Sequence, residues 1–431
     1  MARSSLSLWL LLALGMSCSG RDEPAGPSGS AGSAGSVGGA GSGGTAVTSG
    51  SGGALAAAGS TSGSAAMAGA SAGVGSGGAV GSGGGSSAGA GAGGLSGSAG
   101  AVGGSSGGSA GSSGAAGGGA TDRCDVSVYD AAKPPKQLEL TGNLGTHDPM
   151  VLEAAGKFYL FATGDNLAAK TSNDLLAWQG APEPLPSASR PAWVAQQVPG
   201  VSNLWAPDAS FFGGQYHLYY SASTFGSNRS CIGHLTRASL DSGSWADKGS
   251  VICSATSDDY NAIDPNVIVD EAGTPWLAFG SFWSGIKMIK LTSSGARDGA
   301  SLVALASRPS NSGALEAPFL VRRCGFYYLF VSWDKCCDGV DSTYNIRVGR
   351  SASLSQPFVD REGKQLLQGG GTLVLQGGER FKGPGHNAIL FTERGSYNVY
   401  HAYDADNNGA PVLRVAELAW DQSGWPVSAG P

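Results

Sequence analysis

Between Pro24 and Thr121 the 431-residue chain contains no Asp, Glu, Lys, Arg, Phe, Trp or Tyr. Gly, Ser and Ala make up nearly all of that stretch. Too little apolar surface is present to offset the entropy lost on ordering, which predicts a disordered linker over residues 19–122. Other absences narrow the function. Net charge is −6 with no basic block, which excludes nucleic acid as a partner. The apolar run from Leu6 to Leu14 is nine residues, too short to span a bilayer. No Cys–His spacing suits zinc, and no long amphipathic helical pattern is present.

The two ends of the linker differ in kind. Before it, Arg3, the Leu6–Leu14 run and the small residues that follow read as an export signal over residues 1–18. Cys18 stands where a bacterial lipoprotein carries its lipidated cysteine. Leu14-Gly15-Met16-Ser17 matches that pattern loosely, and ordinary cleavage after a small residue is the alternative. The destination expected is extracellular or the cell surface, including an outer-membrane lipoprotein whose membrane contact is a lipid on Cys18. About 98 flexible residues would span on the order of 50–60 Å as a tether. After the linker, residues 123–431 hold nine of the ten Trp and are expected to form one monomeric globular domain. Export permits disulfides. Six cysteines remain besides Cys18, and fifteen pairings are open to them. Cys231 with Cys253, and Cys324 with either Cys336 or Cys337, are the pairs expected.

The globular part repeats itself. A polar residue, often beside Pro, is followed by an apolar strand, a Gly-centred turn and an aromatic-rich strand. The copies begin at Asp148-Pro149, Pro207-Asp208, Asp264-Pro265, Glu316-Ala317-Pro318 and His386-Asn387. Taken from 148, 208, 264, 316 and 386, the steps are 60, 56, 52 and 70 residues. Each step has room for a four-stranded antiparallel blade. Short strands rich in Tyr, Phe, Val and Ile, bounded by Gly, carry hairpin chemistry. The fold predicted is all-β, a five-bladed β-propeller. A pair of β-sandwiches would also supply short strands, but has no reason to start five hairpins alike.

In a propeller the inner strands line one channel, so residues that start equivalent inner strands meet at one end of it. Asp148, Asp264, Glu316 and His386 would converge there. Converging carboxylates repel, and burial raises their pKa values further. Glycoside hydrolysis uses such a set: one carboxyl protonates the leaving oxygen, and another, ionised, activates water or attacks directly.

The motifs His147-Asp148-Pro149, Trp205-Ala206-Pro207-Asp208, Asn261-Ala262-Ile263-Asp264-Pro265 and Glu316-Ala317-Pro318 resemble the signatures of glycoside hydrolase family 43. Ser223-Thr224-Phe225-Gly226, Gly280 to Gly285, Cys336-Cys337 with Ser342 to Ser351, and Gly383-Pro384-Gly385-His386-Asn387 point within it to endo-α-1,5-L-arabinanases. The resemblance implies a five-bladed propeller and inversion at the anomeric carbon. It implies Asp148 as general base, Glu316 as general acid, and Asp264 as the residue that tunes and orients Glu316. It implies substrate contacts from Asp148, Gly226, Asn261, Ala262, Ile263, Asp264, Ser281, Phe282 and Trp283, with Phe225 and Trp205 as further apolar faces. It also implies a calcium ion in the channel, beside His386 and mostly water-coordinated. His147 is expected to orient Asp148, Asp208 to bond structurally, and His217, His234 and His401 to pack or lie at the surface.

The function expected is hydrolysis of internal α-1,5 bonds of arabinan. An exo-acting arabinofuranosidase or xylosidase would share the carboxylates. A non-catalytic carbohydrate-binding propeller would share the fold but has no need of all three.

Overall fold

The computed structural model describes Cys124, residues 126–186 and residues 189–431. The expected export signal, the site of Cys18 and the linker lie outside the described residues.

Five sheets follow one another along the chain, antiparallel except for one parallel pair at the edge of the first. After a short β1 (Thr141–Gly142), blade one contains β2 (Met150–Ala154), β3 (Lys157–Ala162), β4 (Ala168–Ser172) and β5 (Ala177–Ala181). Blade two contains β6 (Leu204–Phe212), β7 (Gln215–Ala222), β8 (Ser230–Arg237) and β9 (Ala246–Ser254). Blade three contains β10 (Asn266–Val269), β11 (Pro275–Phe279), β12 (Ile286–Lys290) and β13 (Val303–Ala306). Blade four contains β14 (Leu315–Arg323), β15 (Phe326–Trp333), β16 (Asn345–Ser351) and β17 (Thr372–Gln376). Blade five contains β18 (Phe381–Thr392), β19 (Gly395–Asp404), β20 (Ala410–Trp420) and β21 (Pro426–Ser428). The inner strands β2, β6, β10, β14 and β18 are neighbours in that order, and β18 meets β2 again. The ring is closed, and the predicted five-bladed propeller is the fold.

The hairpins follow from local chemistry. Between β6 and β7 the two-residue loop Gly213–Gly214 has φ of 55° and 79°, the primed turn whose twist matches paired strands. Alternation along each strand then points apolar side chains at both neighbouring blades. Five separate hydrophobic clusters result, one for each contact between blades. Leu152 with Tyr220 joins blades one and two, and Leu277 with Ile232 joins two and three. Leu320 with Ile268 joins three and four, Phe330 with Tyr400 joins four and five, and Leu390 with Leu160 joins five and one.

The segment before blade one covers the seam between the last and first blades. Leu138 N–H donates to Val415 O, Leu413 N–H to Leu144 O, and Thr141 N–H to Leu176 O. These bonds occupy strand edges that would otherwise be open. A disulfide from Cys124 to Cys324 anchors the segment to the β14–β15 turn. Cys231 pairs with Cys253, as expected, and Cys336 pairs with its neighbour Cys337. The expected bond from Cys324 to Cys336 or Cys337 is therefore incorrect. Cys324 lies before the eight-residue β15 and the adjacent cysteines follow it. A strand of that length is ~25 Å long, far beyond disulfide reach.

Candidate active site

Each inner strand is entered through a residue in the left-handed region. These are Asp148 (φ 51°), Ala206 (45°), Asp264 (57°), Ala317 (54°) and His386 (48°). Such φ values are uncommon outside Gly, and five at matching places mark the true register of the repeat. Asp148, Asp264 and His386 hold the equivalent position, as expected. Asp208 and Glu316 do not. Ala206 and Ala317 occupy it instead, so Glu316 sits one residue before and Asp208 two residues after. In four of the five the next residue is Pro.

Each of these residues donates its backbone N–H to a side chain. Asp148 N–H goes to His401 Nδ1 at 3.1 Å, Ala206 to Thr163 Oγ1 at 2.9 Å, Asp264 to Ser221 Oγ at 2.9 Å and His386 to Ser332 Oγ at 2.9 Å. In these four the acceptor lies on or just after the second strand of the preceding blade. Between blades three and four the arrangement changes. Ala317 N–H goes to Asp264 Oδ2 at 3.1 Å, and Ser281 Oγ donates to Glu316 Oε2 at 2.7 Å. Asp264 thus holds the backbone beside Glu316. Asp208 is structural: it accepts from Asn266 Nδ2 and Val267 N–H and ties blade two to blade three.

Asp148, Asp264 and Glu316 act on one another through charge, and all three act on His386. Their environments separate them. Burial would raise Asp148, but His147 and His386 hold its carboxyl well below the usual range. His147 Nδ1 lies 2.8 Å from Asp148 Oδ2 and His386 Nδ1 lies 3.2 Å from Oδ1. Thr163 Oγ1 donates to Oδ2 at 2.6 Å. Burial raises Glu316, against hydrogen bonds from Ser281 and Tyr344. Burial and the charges of Glu316 and Asp148 push Asp264 up to about 8. In a buried site Glu316 and Asp264 do not both ionise near neutral pH. His386, against its burial, is raised to about 9 by Asp148 and the other carboxylates.

The remaining expected residues divide by exposure. Phe225 is 85% exposed and Trp283 is 44% exposed, open apolar faces of the sort that stack on sugar rings. Phe282 and Trp283 both have positive φ, at 52° and 40°. Two bulky residues in that conformation mark a constrained loop. Gly226 is exposed, while Asn261, Ala262, Ile263 and Ser281 are buried. Asn261 Oδ1 is buried with no hydrogen-bond partner in the protein.

The sequence profile described as "Glycosyl hydrolases family 43" matches residues 141–426. The chain belongs to that family. Over 285 residues it is 46% identical to an extracellular endo-α-(1→5)-L-arabinanase of Bacillus subtilis, covering 65% of this chain and 86% of that protein. It is 38% identical to an extracellular exo-α-(1→5)-L-arabinofuranosidase of Cellvibrio japonicus, covering 65% and 85%. Among solved structures, a family 43 endo-arabinanase of Bacillus licheniformis is 44% identical with a TM-score of 0.64, covering 67% of this chain and 99% of that one.

Several residues of this family 43 site lie outside the expected set. Tyr344 Oη donates to Glu316 Oε1 at 2.8 Å. Gly385 makes this possible, because a Cβ there would overlap the Tyr344 ring. His401, expected to pack or lie at the surface, packs: it stacks on His147 at 4.1 Å, and beyond that expectation it receives the Asp148 N–H. Tyr403 bonds His147 from behind. His217 and His234 pack as a buried pair away from these groups, as expected. Among the described residues, two trios have atoms close enough to share an ion: His147 with Cys336 and Cys337, and His147 with Asp148 and His401. The cysteines are joined to each other, and His147 and Asp148 are hydrogen-bonded, so neither trio is a free ligand set.

Proposed function

We propose that this chain hydrolyses internal α-1,5-L-arabinofuranosidic bonds of arabinan with inversion. In this reading Asp148, held ionised, takes a proton from the attacking water. Glu316, held protonated, gives one to the leaving oxygen. Asp264 and Glu316 oppose each other's ionisation, so the pair retains a proton for the reaction, and the bond from Ala317 N–H to Asp264 places the backbone beside Glu316. The opposite displacement of Asp148 and Glu316 within one channel carries the assignment. In this reading Phe225, Phe282 and Trp283 would offer faces to sugar rings, and Gly226, Asn261, Ala262, Ile263 and Ser281 would contact the substrate.

Relatives named as exo-acting make single-residue release the second reading. Product sizes over time on linear arabinan, beside xylan, separate them. Mixed oligosaccharides at the first time points support endo action. Arabinose alone from the outset supports exo action, and tight binding without release supports a binding module.

Calcium beside His386 belongs to the same proposal. Asp148, Asp208, Asp264 and Glu316 all act electrostatically on His386, and this surplus of carboxylates suits a hard divalent cation. Asp148 engages one nitrogen of His386, and the ion would take the other by displacing its proton, with water completing the shell. When bound, the ion would supply a fixed positive charge opposite the carboxylates. Elemental analysis of the purified protein, before and after a chelator, tests this. The extracellular relatives favour export, and tethering through a lipid on Cys18 and a monomeric state complete the reading. Mass spectrometry of the mature N-terminus and light scattering check them.

A further inference from the structure

The adjacent cysteines Cys336 and Cys337 are joined to each other beside the active site. Cys337 N–H donates to Tyr403 Oη at 2.9 Å. Tyr403 Oη lies 2.9 Å from His147 Nε2, and His147 Nδ1 lies 2.8 Å from Asp148 Oδ2. Proton counting orders this chain. The Cys337 amide can only donate, so Tyr403 Oη accepts there. For the single hydroxyl hydrogen of Tyr403, His147 Nε2 lies at 2.9 Å and Cys336 Sγ at 3.7 Å. The nitrogen is nearer and the stronger acceptor. With Nε2 accepting, the proton of a neutral His147 lies on Nδ1, facing Asp148. Stacking on His401 at 4.1 Å fixes the plane of the ring.

We propose that Tyr403 is a positioning residue for the reaction, and that the Cys336–Cys337 bond serves the catalytic base rather than the fold. The bond closes a small ring across one peptide unit and so fixes the direction of the Cys337 N–H. That N–H sets Tyr403, Tyr403 sets the tautomer of His147, and His147 holds the Asp148 carboxylate for the water it must deprotonate. Partners behind a ligating or reacting group typically change activity 10- to 100-fold when removed. Gly383 fits this role, since a Cβ there would crowd both Ser342 and the Tyr403 ring.

The inference rests on the proposed role of Asp148, and two readouts keep the two separable. On linear arabinan, Tyr403→Phe and the double variant Cys336→Ala/Cys337→Ala should each lower kcat by about tenfold or more, with KM within about twofold. Combining all three changes should cost little beyond the larger single effect, because the links act in series. Losses that multiply, or a Tyr403→Phe enzyme with full kcat, would overturn the proposal. The second readout needs no activity. Ring ¹⁵N NMR should show His147 protonated on Nδ1 in the unaltered chain, and a mixture of tautomers in Tyr403→Phe. An Nε2-protonated His147 in the unaltered chain sinks the idea. Should the unaltered chain release no sugar, the functional reading fails while the NMR result still decides the positioning claim.

Discussion

Asp148 and Glu316 are both buried carboxylates, yet their neighbours drive them apart. Asp148 faces His147, His386 and a Thr163 hydroxyl, all of which favour its charge. Glu316 is raised first by burial and further by the charge of Asp148, against the hydrogen bonds of Ser281 and Tyr344 and the charge of His386. The consequence for pH is directional. A general acid works while protonated, so activity should fall as pH rises through the raised value of the Glu316–Asp264 pair. A general base works while ionised, so loss on the acid side should wait for the lowered value of Asp148. A kcat/KM profile should therefore be broad toward acid, and Asp264→Asn should move its alkaline limb. Tyr344 belongs to the same scale. Its hydroxyl orients Glu316, so Tyr344→Phe should slow arabinan cleavage by about tenfold. The slowing should shrink on an aryl arabino-oligoside whose nitrophenol leaves without help.

At the scale of the element, the repeat was legible where chemistry recurs and hidden where it does not. Asp148-Pro149 and Asp264-Pro265 announce strand starts because both residue types favour turns. Ala206 and Ala317 hold the same backbone position with side chains that say nothing, so the sequence register slipped to Asp208 and Glu316. His401 and Tyr403 escaped notice for another reason. They alternate within β19 among residues that read as an ordinary buried strand. The side-chain acceptors of neighbouring blades were equally silent, since Thr163, Ser221 and Ser332 are small polar residues at strand ends. Their role is testable. Ser221→Ala would leave the buried Asp264 N–H without a partner, at about 1–3 kcal/mol. Chemical denaturation should show that loss together with reduced activity. Ser332→Ala should show a similar loss of stability.

Across the whole molecule, closure is the organising problem. A ring of five blades must join its last blade to its first, and here the join is made by the segment before β2, with β1 included in it, pairing with β20 and β5. The Cys124–Cys324 bond ties that segment down across 200 residues of chain. Disulfides typically stabilise by about 2–4 kcal/mol. Cys124→Ser/Cys324→Ser should therefore lower the melting temperature while leaving kcat near its original value. The bond sits at the β14–β15 turn, whereas Glu316 lies near the other end of β14. The propeller is thus fastened far from its reacting groups.

The central claim is that Glu316 gives its proton to the leaving oxygen while Asp148 activates water. Comparing Glu316→Gln with the unaltered chain on two substrates tests it most directly: linear arabinan, and an aryl arabino-oligoside with a nitrophenol leaving group. The account predicts a loss of about 10²–10⁴-fold in kcat on arabinan and a far smaller loss on the aryl substrate. Equal losses on both, or an unchanged rate on arabinan, would contradict it.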